Sequence, residues 1–414
     1  MANVAQQQRH VVAASYLGWT LDALDFFIMA FTLDDVAHSF ASDRTTLTWA
    51  ITLTLAMRPL GALIFGRLAD RFGRRPVLMF NVLMFSALEF ATGLAPTLWS
   101  FLLLRALFGV AMGGEWGVGA SLTMESIPGR WRGFVSGLLQ TGYPSGYLLA
   151  TLLNWAAIGS VGWRGLFMLG AAPALLVLYI RRNVPESPEW SATASTSHER
   201  GKLLGVLRQH AGLTLYAIVM MTAFNFFSHG SQDLFKSFLT REHRLPLASS
   251  TTILLCMNVA AIIGGISCAT LSQSFGRRRT IVVAALLALP VLPLWAFAST
   301  PLSIGVGAFL LQLCVQGAWG VIPAHLNELS PSSVRATFPG LTYQLGNLLA
   351  AGTSTVQSGL ADRFFQGNLS WPLALVVGIV AIVIALLVGF GREARDIRMG
   401  RERLPDEAGA PTHA

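Results

Sequence analysis

Apolar residues recur along the chain in runs longer than a soluble helix needs, separated by short polar stretches. Residues 281–299 and 371–390 hold no charged side chain, and a hydrocarbon core of about 30 Å is crossed by about 20 such residues in a helix. The pattern predicts twelve spans, near 11–32, 47–66, 76–95, 98–121, 133–158, 163–181, 212–238, 247–270, 280–299, 302–326, 334–358 and 371–390. The interval 183–211 is polar, carries Pro185, Pro188 and the run SATASTSHERGK, and reads as a linker. The expected organisation is a six-helix half at 1–182, the linker at 183–211, a second six-helix half at 212–391 and a charged tail at 392–414. The tail's composition predicts disorder at its tip. The fold class is all-α integral membrane.

The two halves are related by an internal repeat. Phe72-Gly73-Arg74-Arg75 recurs as Phe275-Gly276-Arg277-Arg278, an offset of 203 residues. Without gaps the same offset carries Trp116-Gly117-Val118 onto Trp319-Gly320-Val321, Glu125 onto Glu328, Arg132 onto Arg335 and Gly137 onto Gly340. Several matches at one offset predict a tandem duplication, and therefore pseudo-symmetric halves.

Composition and charge then narrow the class. Hydrophobic residues are 53% of the chain and charged residues 12%, about half the charged share of a soluble domain. The formal charge of +8 is not a nucleic-acid footprint. Of 29 Lys and Arg, 21 fall on the side that holds both termini, six on the other, and Arg58 and Arg105 lie within spans. The positive-inside rule thus places both termini in the cytoplasm. MANVAQQQRH has no leading basic region and the first span no small-residue cleavage site, so no cleavable signal is expected. Cys256, Cys268 and Cys314 all fall in spans and read as small core residues.

Polar residues inside spans mark the candidate chemistry. Asn225, His229, Gln232 and Asp233 in the seventh span are spaced i, i+4, i+7, i+8 and share one helical face. A carboxylate one turn from His229 favours the protonated imidazole, so the pair can carry a proton. A polar seam between helices would more usually be built of Ser, Thr or Gly. Arg58, midway along the second span, suits bidentate capture of a carboxylate; the competing reading is an ion pair with Asp22, Asp25 or Glu89. No H-E-x-x-H, G-x-S-x-G or Cys/His cluster is present, so neither an enzyme nor a metal or cofactor site is expected.

Gly66-Arg67-Leu68-Ala69-Asp70-Arg71-Phe72-Gly73-Arg74-Arg75 resembles the G-x-L-A-D-R-x-G-R-R signature after the second helix of major facilitator transporters. That resemblance implies twelve helices in two halves that alternate access. It also implies a latch on the cytoplasmic side made by Gly66, Asp70, Arg71, Gly73, Arg74 and Arg75. Glu125, Arg132, Glu328 and Arg335 read as auxiliary latch elements. The second copy is degraded, with Gln273 in place of Asp70 and Ala269 in place of Gly66. Val184-Pro185-Glu186-Ser187-Pro188-Glu189-Trp190 resembles the P-E-S-P-x-W signature of sugar-porter-like branches and implies a linker and gating role.

The seventh-span sequence Asn225…Ser228-His229-Gly-Ser231-Gln232-Asp233…Ser237 resembles the N-x-x-S-H-x-S-Q-D-x-x-x-T signature of lactate/pyruvate:proton symporters of the yeast lactate permease type, within the sialate:proton symporter branch. Ser237 replaces Thr. Tyr343-Gln344-Leu345-Gly346-Asn347 resembles the Y-Q-L-G-N of the same group, and Gln344 could bind the substrate's 2-hydroxyl or 2-keto oxygen. Asp22 and Asp25 resemble the D-x-x-D of acid:proton symporters, and with Glu115 they are further proton-path candidates. Arg105…Gly109…Gly113 resembles the family's R-x-x-x-G-x-x-x-G element, with Arg105 expected to neutralise Asp25 or Glu89. The expected function is import of a small monocarboxylate with a proton across the inner membrane, by a monomer whose partners are substrate, protons and lipid. The alternatives are a symporter of sialate or aromatic acids, and a transporter-like nutrient sensor.

Overall fold

The computed structural model describes residues 2–194 and 203–395; part of the predicted linker and nearly all of the predicted tail lie outside them. Among the described residues every regular element is helical. Nine helices there are long and apolar enough to cross a membrane, and the bent pair Gly129–Leu169 with Ala174–Asn183 adds a tenth. That pair contains two spans, because at Gly162 the backbone leaves the helix (φ 65°, ψ −179°). The remaining crossing is the eleventh span, divided into Thr337–Ala350 and Thr353–Phe364. Twelve crossings result. The ninth span is interrupted too: Arg277–Ala288 gives way to a 3-10 turn at Leu289–Val291, where Pro290 and Pro293 remove backbone donors.

The repeat read from the sequence is also a repeat of structure. The second and eighth spans, Arg44–Phe72 and Leu247–Phe275, are 29 residues each, as are the fourth and tenth, Leu98–Ser126 and Pro301–Leu329. The fourth and tenth open on the same capping box, Thr97 with Ser100 and Thr300 with Ser303. Gly73 and Gly276 close the second and eighth at φ 106° and 96°, a region that favours glycine.

Within each half the backbones touch where glycine permits it. A Cβ on Gly113 would collide with the backbone of Arg58, and one on Gly320 with that of Gly265. The R-x-x-x-G-x-x-x-G element therefore packs the fourth span directly on the second. Its arginine turns the other way: Arg105 Nη2 lies 2.6 Å from Glu89 Oε2 and 2.6 Å from the Thr92 hydroxyl. Between halves, the eleventh span packs on the second, and the fifth on the eighth and tenth. A Cβ on Gly117 would lie 2.7 Å from Cα of Gly340, so the halves meet almost backbone to backbone.

Candidate functional site

The halves are closed together at the face that carries the glycine- and arginine-rich loops. Asp70, 5% exposed, accepts hydrogen bonds from the Ala336 amide (2.9 Å), the Thr337 amide (3.1 Å) and the Thr337 hydroxyl (2.6 Å) of the opposite half. These donors sit at the start of Thr337–Ala350, where unpaired amides and the helix dipole favour a carboxylate. Gly66 makes room for that approach: a Cβ there would lie 2.6 Å from Thr337 Cα. Arg74 holds Glu125 through two bonds of 3.1 and 2.8 Å and lies 3.5 Å from Asp70. Arg277 holds Glu328 in the same way, at 3.0 and 3.0 Å. Each auxiliary glutamate thus serves the motif arginine of its own half.

The remaining expected latch residues disperse. Arg335 reaches Glu189 of the linker (3.0 Å), and Arg132 donates to the Met124 carbonyl (3.1 Å). Arg71 stacks on Phe72, and Arg75 donates to the Arg181 carbonyl. Burial pushes the Glu189 carboxyl up to about 7, against the opposing charge of Arg335. Two further glutamates complete the loops, Glu186 from the segment expected to gate and Glu393, which the sequence reading did not single out. Glu186 accepts from the Arg74 and Arg75 amides, and Glu393 from those of Arg277 and Arg278. The signal for Glu393 was its place just after the twelfth span, as Glu186 follows the sixth.

On the other side of this seal, toward the opposite face, a cavity of about 420 Å³ lies between the halves. Its aromatic wall is Trp19, Phe26, Phe27, Tyr143, Tyr147, Trp319 and Tyr343, and its polar wall includes Arg58, Asn225, His229, Gln232 and Asp233. The shared face predicted for the seventh span is therefore the cavity face. His229 Nδ1 is 3.2 Å from Asp233 Oδ1, and its Nε2 is 3.2 Å from Asn347 Oδ1. Since Asn347 Oδ1 only accepts, the contact fits a proton on Nε2, while the carboxylate favours one on Nδ1; both contacts suit the imidazolium. Ser354 donates to Asp233 Oδ2 (3.1 Å). Gln232 bonds the Ser228 hydroxyl (3.1 Å) and Gln312 (3.2 Å), which in turn bonds Ser231 (3.1 Å). Asn225 donates to the Met221 carbonyl (2.8 Å).

Arg58 faces this cavity, 3% exposed, with its guanidinium over the Phe26 ring and Nη2 2.8 Å from Met112 Sδ. It makes no ion pair with Asp22, Asp25 or Glu89 among the described residues; Glu89 belongs to Arg105. Three candidates stand behind the wall instead of on it. Asp22, Asp25 and Glu115 are wholly buried, and none of their carboxylate oxygens finds a hydrogen-bond partner among the described residues. Gln344 is corrected as well. It is 1% exposed, its amide has no hydrogen-bond partner among the described residues, and it does not line the cavity. Tyr343 and Asn347, at i and i+4, share the cavity face, and a helix turns the residue after Tyr343 about 100° away from it.

The family model described as Major Facilitator Superfamily matches residues 12–354. A carboxylic acid transporter protein homolog of Saccharomyces cerevisiae is 28% identical over 375 residues, covering 84% of this chain and 61% of that protein. The chain thus spans less than two thirds of that relative's length. A putative niacin/nicotinamide transporter of Bacillus subtilis is 27% identical over 385 residues, 92% of this chain and 96% of that one. Among solved structures, the proton:xylose symporter XylE bound to 6-bromo-6-deoxy-D-glucose superposes with a TM-score of 0.78 at 17% identity, over 96% of this chain and 98% of the other, a likeness of fold alone.

Proposed function

Because this chain belongs to the Major Facilitator Superfamily, we propose that it imports a small monocarboxylate of the lactate/pyruvate class together with a proton, by alternating access. The observation that carries the reading is one wall holding a guanidinium that makes no ion pair among the described residues, Arg58, and a hydrogen-bonded imidazole–carboxylate pair, His229 and Asp233. The first is an anion site and the second a proton site. Asp22, Asp25 and Glu115 are reserve proton sites behind the wall. The basic excess at the sealed face makes that face cytoplasmic, so the cavity opens to the outside and Asp70 is the gating residue beneath it. The carboxylic-acid relative supports this substrate class.

A second reading has its own support. A cavity of about 420 Å³ with aromatic walls exceeds what a three-carbon acid fills, and an aromatic acid would stack there. The niacin relative points the same way. Both readings share Arg58. Arg58→Lys in proteoliposomes with an imposed pH gradient should lose at least about 90% of carboxylate uptake, because a point ammonium cannot replace the planar fork. Labelled lactate, pyruvate, nicotinate and sialate separate the substrate classes in the wild type. Wild-type uptake in the Lys variant removes the anion site from Arg58, and failure of purified protein to move any acid leaves the sensor reading.

A further inference from the structure

The cavity holds one more cation than a monocarboxylate carrier needs. Its charged and titratable wall residues, tyrosines aside, are Arg58, His229, Asp233 and Lys236. Asp233 is engaged at both oxygens, by His229 and by Ser354. Neither Arg58 nor Lys236 makes an ion pair among the described residues. The wall therefore carries one excess positive charge when His229 is neutral and two when it is protonated. With Asp22, Asp25 and Glu115 behind the wall holding their protons, a monoanion on Arg58 with a proton on His229 leaves one charge over. While water fills the cavity that charge costs little. When the halves close over the substrate the water leaves, and an unpaired charge becomes expensive.

Lys236 is placed to receive a second anionic group. Its side chain is exposed to the cavity, seven residues past His229, about 10 Å farther out at the helical rise. Asp233 and Leu234 between them keep right-handed helical backbone, so Lys236 stays near the His229 face of the span, and its long stem can bend inward. We infer that Lys236 is a second anion subsite, and that the carrier accepts short α,ω-dicarboxylates, one carboxylate on Arg58 and the other on Lys236. The inference rests on Arg58 as the first anion site and extends the substrate class proposed above.

The test uses the full chain in proteoliposomes under an inward proton gradient, with labelled lactate, succinate and adipate and the variants Lys236→Gln and Lys236→Arg. The wild type should take up at least one dicarboxylate as well as lactate. Lys236→Gln should lower dicarboxylate uptake about tenfold more than lactate uptake, and Lys236→Arg, which keeps the charge, should restore most of the difference. A wild type that moves lactate but neither diacid overturns the inference and leaves the monocarboxylate reading intact. An equal fall for both substrate classes in Lys236→Gln overturns it too, since Lys236 is then a general rim charge. A wild type that moves no carboxylate overturns both.

Discussion

Asp70 and Gln273 occupy equivalent places in the two halves, 203 residues apart, and each reaches into the other half. Asp70 accepts from the Ala336 amide, the Thr337 amide and the Thr337 hydroxyl. Gln273 accepts from the Gly133 amide at 3.2 Å, and Gly133 and Ala336 are themselves one repeat apart. The second copy has therefore lost its charge and kept its geometry. A hydrogen bond to a charged acceptor contributes about 1.5–3 kcal/mol and a neutral one about 0.5–1.5 kcal/mol. Closure at the loop face is two-sided in shape and one-sided in energy.

The charge lost at position 273 has a further consequence, and it sets the largest expected difference between the halves. Arg74 has two carboxylates, Glu125 at 2.8 Å and Asp70 at 3.5 Å, whereas Arg277 has Glu328 at 3.0 Å and the neutral amide of Gln273 at 2.8 Å. Removing one partner of a buried pair costs about 3–5 kcal/mol when the remaining charge is uncompensated. Glu328→Gln should therefore approach that cost, while Glu125→Gln should cost less because Asp70 stays beside Arg74. Thermal unfolding of the purified variants checks the order, and a larger loss for Glu125→Gln would break the comparison.

Asp70→Ala comes next. It removes the acceptor of two amides and one hydroxyl and should shift the population toward states open at the loop face by about 2–4 kcal/mol. Substrate affinity of the cavity-open state should stay near that of the wild type, because Asp70 touches no cavity residue. Alkylation of a cysteine introduced at Ser121, which closure buries against Asn327 and the Arg335 carbonyl, reports the shift; an unchanged rate removes the latch role from Asp70. The smallest effect belongs to Gln273→Ala, which removes one neutral acceptor from Gly133 across the halves; the bond it also takes from Arg277 lies within one half and is lost in both states. A shift of about 1 kcal/mol or less is expected by the same labelling, and one as large as that of Asp70→Ala would show that charge is not what separates the two copies.

Much of this was legible in the sequence because it is local or repeated. The polar face of the seventh span follows from helical spacing alone, and all four of its residues line the cavity. The repeat offset located both loops and both auxiliary glutamates. Tertiary packing decided the rest. Asp22 lies i+3 from Trp19 on the first span, yet Trp19 lines the cavity and Asp22 is wholly buried behind it. Gln344 belongs to a recognisable motif, but Tyr343 and Asn347 take the cavity face. Lys236 stood at an unspecified position of the seventh-span motif, and only the packing of the two halves shows that it lines the cavity. The division of the eleventh span at Ala351 and Gly352 had only a glycine to mark it.

Symport of one proton with one monocarboxylate anion moves no net charge, so the membrane potential does no work on the loaded carrier. The most direct test imposes the two driving forces separately on proteoliposomes and follows labelled lactate. A pH gradient at zero potential supplies about 1.4 kcal/mol per unit, and it should drive accumulation that His229→Ala abolishes. A valinomycin-set potassium potential at equal pH would supply about 2.3 kcal/mol per 100 mV for each net charge moved, and it should drive none. Lactate accumulated by the potential alone, or against its gradient in His229→Ala, would contradict a proton held at His229 and Asp233.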